Sequence, residues 1–240
     1  MCALGPGTAA RPSWRHRRLH PDNGQGLRLT LAVVSAFLVL VPFLLALLVL
    51  TSWSPLRRLD RAVTEALVDY GLRHPEWARV LNVWTDVFAP MPLRLAALVV
   101  VGWLARRQAR QLALWVAVTM TVGGLLSPLL KLLVGRPRPE FPKPLAQAVG
   151  LAFPSGHALN AALAAGVLLV VFRPRPGRSA KRYAVWAGAF LLAVVTGFSR
   201  VALGVHWSSD VVAGWLLGTA VVAATAAVFA VWRATPPHRR

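Results

Sequence analysis

The run LTLAVVSAFLVLVPFLLALLVLTS, Leu29 to Ser52, is 24 residues long and carries no charge. A helix of about 20 apolar residues crosses the hydrocarbon core of a bilayer, so this segment is read as a membrane span, kinked at Pro42. A cleaved leader would have a shorter apolar region, about 7–15 residues, followed by a small-residue cleavage site, and neither is seen. Composition extends the reading to the whole chain: 56% of its 240 residues are hydrophobic and 15% charged, with a mean hydropathy of +0.56. Those values belong to a membrane protein.

Net charge is +19, and in a soluble chain that would suggest a nucleic-acid partner. Here the basic residues sit in short segments between apolar runs, so no nucleic acid is expected. Arginines outnumber lysines 24 to 3, which for the surface positions reflects coding bias. Cys2 is the single cysteine, which excludes an internal disulfide and a Cys-based metal site.

Residues 1–28 are polar, basic and without apolar periodicity, and are read as a disordered cytoplasmic tail. Between Pro55 and Pro90, charges of both signs punctuate apolar residues at helical spacing, as in DRAVTEALVDYGL, which predicts two short amphipathic helices at the membrane surface. Further apolar runs follow at Leu93–Leu104, Leu112–Leu133, Ala158–Phe172, Tyr183–Phe198 and Val211–Trp232, with Arg94 snorkelling at one end of its run. The expected fold is therefore all-α, a polytopic bundle of about six transmembrane helices with short surface helices between the first two. Residues 29–233 form the domain and 234–240 a short basic tail. Trp53, Trp103, Trp115, Trp186 and Trp232 lie near span ends, where an interfacial belt or a core would use them equally.

With the N-terminus inside, the inner segments carry 16 basic residues against one acid, Asp22, and the outer ones 11 against seven. The positive-inside rule therefore puts both termini in the cytoplasm. Three clusters then fall on the outer face: KLLVGRPRP from Lys131, PSGH from Pro154 and SRVALGVHWSSD from Ser199. Ionisable residues at a membrane boundary are costly and mark a functional site by default.

Lys131 alone reads as a snorkelling cation. Together with Arg136, Arg138 and Arg200 it forms a cluster that needs an anion. Ser155 is a natural N-cap, Gly156 lets a ligand approach the backbone, and the helix start beyond them presents free N–H groups, a seat for phosphate. An ordinary capped helix with an interfacial histidine, His157, explains the tetrapeptide alone equally well. His206 and Asp210 share one helix face if the helix begins near His206, so the carboxylate can orient the imidazole as well as cap the helix. Two histidines and a carboxylate could hold a metal, but Lys131, Arg138 and Arg200 would repel one.

In order, Lys131 with Arg138-Pro139, then Pro154-Ser155-Gly156-His157, then Ser199-Arg200 with His206 and Asp210, resemble the three-part signature of the type 2 phosphatidic-acid phosphatase superfamily. That family comprises membrane lipid phosphatases and relatives such as glucose-6-phosphatase and the soluble vanadium haloperoxidases. The resemblance implies that His206 takes the phosphoryl group, Asp210 orients it and His157 protonates the leaving oxygen. It implies that Lys131, Arg138, Ser155, Gly156 and Arg200 hold the phosphoryl oxygens, and that no metal or other cofactor is needed. The implied partner is a lipid phosphate or pyrophosphate: phosphatidic acid, phosphatidylglycerophosphate, diacylglycerol pyrophosphate or polyprenyl pyrophosphate. A non-catalytic lipid-phosphate binder or transporter is the alternative, and six spans weigh against a haloperoxidase.

Overall fold

The computed structural model describes residues 24–172 and 179–234, which form eight α-helices and no strand. They are α1 (Gly24–Leu50), α2 (Ser54–Arg73), α3 (Pro75–Val87), α4 (Pro90–Arg106), α5 (Arg110–Val134), α6 (Gly156–Val171), α7 (Ser179–Ala202) and α8 (Ser208–Ala234). Helix α1 begins at Gly24, ahead of the expected Leu29; the remainder of the expected tail, residues 1–23, and the end, 235–240, lie outside the described residues.

Prolines punctuate the first half. Pro55, Pro75 and Pro90 each sit in the first turn of a helix, where a missing N–H costs nothing, and so they start new helices after a change of direction. The chain turns by 97° between α1 and α2, which lays α2 across the end of the bundle, as expected of a surface helix. The turn between α3 and α4 is only 42°, so these two also qualify as one bent span instead of a surface helix followed by a span.

By length and composition three helices, α5, α7 and α8, cross a membrane unaided, and the two bent pairs raise the number to five. The expected sixth span, α6, has 16 residues, which gives ~24 Å at 1.5 Å per residue, short of a hydrocarbon core of about 30 Å. Its environment explains how it is tolerated. Helix α6 packs against α4, α5, α7 and α8, and Ala158, Leu159, Asn160, Ala161, Leu163 and Val167 are buried. A helix apolar on every side is a core helix. Large apolar side chains of α1 are exposed instead, among them Phe37, Leu40, Phe43 and Leu47, as a lipid-facing span requires. Trp53 and Trp103 are exposed at helix ends and Trp186 is exposed two turns into α7, whereas Trp115 is in the core; the side chain of Trp232 lies outside the described residues.

The contact between α6 and α8 sets the site. Gly214 and Gly218 form a GxxxG pair on α8, and a Cβ at either position would lie 2.6 Å from the Ser155 carbonyl oxygen or 2.7 Å from that of Leu159. Small residues at this spacing let two helix backbones touch. In Gly214→Ala the methyl meets backbone, which cannot move aside cheaply; we expect a loss of about 1–3 kcal/mol, read as a lower melting temperature in detergent. Gly102→Ala has nothing within 4 Å of the new methyl and should be neutral or slightly stabilising. Equal melting temperatures for the two variants would refute the close-packing argument.

Candidate active site

All three sequence clusters meet at one end of the bundle. Helix α5 ends at Gly135, whose left-handed conformation (φ 64°) and N–H bond to the Lys131 carbonyl release the chain into Arg136-Pro137-Arg138-Pro139. Ser155 caps α6, its hydroxyl accepting the Ala158 N–H at 3.4 Å. Arg200 lies in the last turn of α7, His206 in the turn after it, and Asp210 in the first turn of α8. The backbone ties two clusters together, since the Ser155 N–H donates to the Asp210 carbonyl at 2.9 Å.

Asp210 lies within reach of both groups anticipated for it. One carboxylate oxygen, Oδ2, accepts the Trp207 N–H at 2.9 Å, half of a capping box at the start of α8, and lies 3.4 Å from His206 Nδ1. On the far side of the ring, Arg138 Nη1 is 3.0 Å from His206 Nε2. A guanidinium can only donate, so Nε2 is the acceptor and Nδ1 carries the hydrogen towards Asp210. Burial pushes the His206 imidazole down to about 4; its hydrogen bond and attraction to Asp210 oppose this, while Arg138 and Arg200 add to it. A neutral ring with its lone pair on Nε2 is the nucleophilic form of histidine.

A cavity of about 680 Å³ opens beside Nε2, lined by Lys131, Arg138, Gly156, His157, Arg200 and His206, with Asp86, Arg94 and Asn160 further round. Its cations are held by neutral groups. Lys131 Nζ donates to the Leu151 carbonyl at 2.9 Å, and Arg138 donates to the carbonyls of Gly150 and Val205 at 3.0 and 2.6 Å. Burial lowers the Arg138 pKa, against the attraction of Asp210. Arg200 Nη1 donates to Thr85 Oγ1 of α3 at 3.0 Å, and its buried Nε–H has no protein partner, an orphan donor suited to an anion.

Six of the eight expected site residues line this cavity, and Asp210 stands directly behind His206. Ser155 stands apart: its side chain is fully buried and its hydroxyl serves the cap. Arg136, read from sequence as part of the same cation cluster, turns away from the cavity. It donates to Asp60 Oδ2 at 2.7 Å, Asp210 Oδ1 at 2.6 Å and Ser209 Oγ at 2.7 Å. Arg94 does not snorkel; its Nε donates to Asn160 Oδ1 at 3.1 Å inside the bundle. Asp60 went unread, although its place in the stripe Leu56, Asp60, Thr64, Val68, a charge at a buried helical position, was a usable signal.

Residues 112–234 match the PAP2 superfamily, a segment that contains all three clusters. The chain belongs to that superfamily. It is 40% identical over 95 residues to phosphatidylglycerophosphatase B of Bacillus subtilis, covering 39% of this chain and 46% of that protein. Over 118 residues it is 30% identical to an undecaprenyl-diphosphatase of Sulfolobus acidocaldarius, covering 47% and 53%. The chain thus spans about half the length of these two relatives. The crystal structure of a transmembrane PAP2 type phosphatidylglycerolphosphate phosphatase from Bacillus subtilis superposes with a TM-score of 0.66 at 27% identity, over 81% of this chain and 96% of that one. The helices therefore have the transmembrane PAP2 fold, and the chain is a multi-pass membrane protein.

The ring assignment is open to direct measurement. In ¹⁵N-histidine-labelled protein in detergent, the His206 signals should show hydrogen on Nδ1 and remain neutral on acidification through pH 6.5, the ordinary value from which its pKa is lowered. An Nε2–H tautomer, or a midpoint near 6.5, would contradict the geometry.

Proposed function

We propose that this PAP2 protein is a lipid phosphatase that hydrolyses a phosphomonoester or pyrophosphate of a membrane lipid through a phosphohistidine on His206. One observation carries the proposal: His206, backed by Asp210 at Nδ1, presents Nε2 to a cavity whose walls include Lys131, Arg138, Arg200 and a second histidine, His157.

In the first step Nε2 bonds to phosphorus as the bond from phosphorus to the leaving oxygen breaks, and His157 gives that oxygen its proton. The ring keeps its Nδ1 hydrogen and becomes cationic, stabilised by Asp210. In the second step His157 accepts a proton from water as the water oxygen displaces Nε2 from phosphorus, which returns inorganic phosphate and neutral His206. Lys131, Arg138, the orphan Nε–H of Arg200 and the Gly156 N–H stabilise the equatorial oxygens, the task that dominates phosphoryl transfer. The cations supply charge that a metal supplies elsewhere, so we expect turnover in EDTA.

A lipid substrate is supported by a second, apolar cavity between α4 and α5, about 300 Å³, lined by Ala97, Leu98, Val116 and Met120 among others. It shares Arg94 and Gly124 with the catalytic cavity. A phosphate in one can therefore continue as a hydrocarbon tail in the other. The relatives' names, phosphatidylglycerophosphatase and undecaprenyl-diphosphatase, suggest which headgroups to test first.

Rapid-quench labelling with a radioactive activated phosphate ester tests the mechanism. His206→Ala should form no acid-labile phosphoenzyme and release no phosphate. His157→Ala should still be labelled by the activated ester, whose leaving group needs no proton, and should then dephosphorylate slowly. Label on His206→Ala and none on His157→Ala would reverse the two roles.

The distribution of basic residues supports an outward-facing site with cytoplasmic termini. With Cys2 replaced, a membrane-impermeant thiol reagent on intact cells should label Lys143→Cys, an exposed position between α5 and α6, and spare Ser179→Cys. The opposite pattern would turn the protein over in the membrane.

A further inference from the structure

The reaction as described leaves one buried charge unused. Asp60, on α2, is 1% exposed and accepts hydrogen bonds from Ser208 Oγ at 2.6 Å, Ser209 N at 2.9 Å, Ser209 Oγ at 2.6 Å and Arg136 Nη2 at 2.7 Å. Burial alone would raise its pKa; the hydrogen bonds from Ser208, Ser209 and Arg136 outweigh that and hold the carboxyl below its ordinary range. Asp60 therefore carries a full negative charge. Arg136 spends one nitrogen on it and the other on Asp210 at 2.6 Å, two ion pairs of nearly equal length.

Asp210 paired with Arg136 alone would belong to a neutral couple. The guanidinium would then cancel much of the field that Asp210 directs at His206, and that field matters when the ring becomes cationic on bonding to phosphorus. With Asp60 on its other side, Arg136 is neutralised twice over, and the trio keeps one net negative charge next to the ring.

We propose that Asp60 is a positioning residue of this reaction: acting through Arg136, it fixes the Asp210 carboxylate and preserves the negative charge that stabilises the charged form of His206. The proposal rests on the phosphohistidine reading. A purely structural role, docking α2 onto the start of α8, is the competing account, and the two differ in what removal of Arg136 should do.

The test uses the full chain in detergent with a water-soluble phosphate ester, comparing wild type, Asp60→Asn, Asp60→Glu and the double variant Asp60→Asn/Arg136→Gln. Asp60→Asn should lose about 10- to 100-fold in kcat with KM within about twofold, since Asp60 does not reach the substrate cavity. Asp60→Glu, which keeps the charge, should retain kcat within about threefold. The double variant again leaves one net negative charge beside His206 and should recover about tenfold over Asp60→Asn; a docking role would make it no better. Wild-type kcat in Asp60→Asn, a loss seen in KM alone, or a double variant no faster than the single would each overturn the proposal. Should Asp60→Asn fail to fold, the double variant decides against wild type: kcat within about tenfold supports the proposal, and any greater loss overturns it.

A ¹⁵N titration of His206 provides a readout independent of turnover. The ring faces Asp210 on α8, Arg138, Arg200 on α7 and, across the cavity, His157 and Lys131, all unchanged in the variants. Its midpoint should fall in Asp60→Asn and return in the double variant; an unmoved midpoint would overturn the coupling. A wild-type chain that releases no phosphate from any lipid phosphate would sink only the parent reading, and the titration would still decide this one.

Discussion

A guanidinium that is 8% exposed inside a membrane protein must be paired, because an uncompensated charge there costs several kcal/mol. Arg136 meets that requirement with two carboxylates far apart in the chain, and the positions of two helices and of one carboxylate follow. Asp60 brings α2 across the end of the bundle, the hydroxyls of Ser208 and Ser209 align the start of α8 against it, and Asp210 is left with its second oxygen turned to Trp207 and His206. Removing one partner from such a buried network costs about 3–5 kcal/mol, so the surface helix is part of the bundle's framework.

The second requirement is proximity. His157 and His206 reach one cavity because α6 and α8 approach to backbone contact over Gly214 and Gly218, and because the Ser155 N–H bonds to the Asp210 carbonyl. The shortness of α6 belongs to the same design. A core helix surrounded by neighbours can begin inside the bundle, and its first turn then presents Gly156 and His157 to a cavity instead of to open water.

The signature residues were legible because each lies in a short, punctuated segment whose chemistry contrasts with the apolar runs beside it. Their buried partners were not. Asp60 supports Arg136, Thr85 supports Arg200 and Asn160 is bridged by Arg94, yet Asp60, Thr85 and Arg94 all precede residue 112, where the family match begins. Periodicity identifies the face of a helix but not the neighbour that face will meet. Arg136 and Arg138, two positions apart in a segment without regular structure, looked like one cluster. In the fold they take hold of the same histidine–carboxylate pair from its two ends, one at Asp210 and the other at His206. Hydropathy likewise marks α6 as apolar without revealing that other helices surround it.

Arg138 occupies the lone pair of His206 and donates to three carbonyls, those of Val149, Gly150 and Val205. On the proposed mechanism the nucleophile therefore rests masked. Small electrophiles and stray anions in the medium meet a ring whose reactive nitrogen is already engaged. A phosphoryl group would unmask it on that mechanism by offering the guanidinium a better acceptor than any carbonyl. Reactivity would thus be conditional on cargo: the residue proposed to recognise the phosphate is also the one that would release the histidine to attack it.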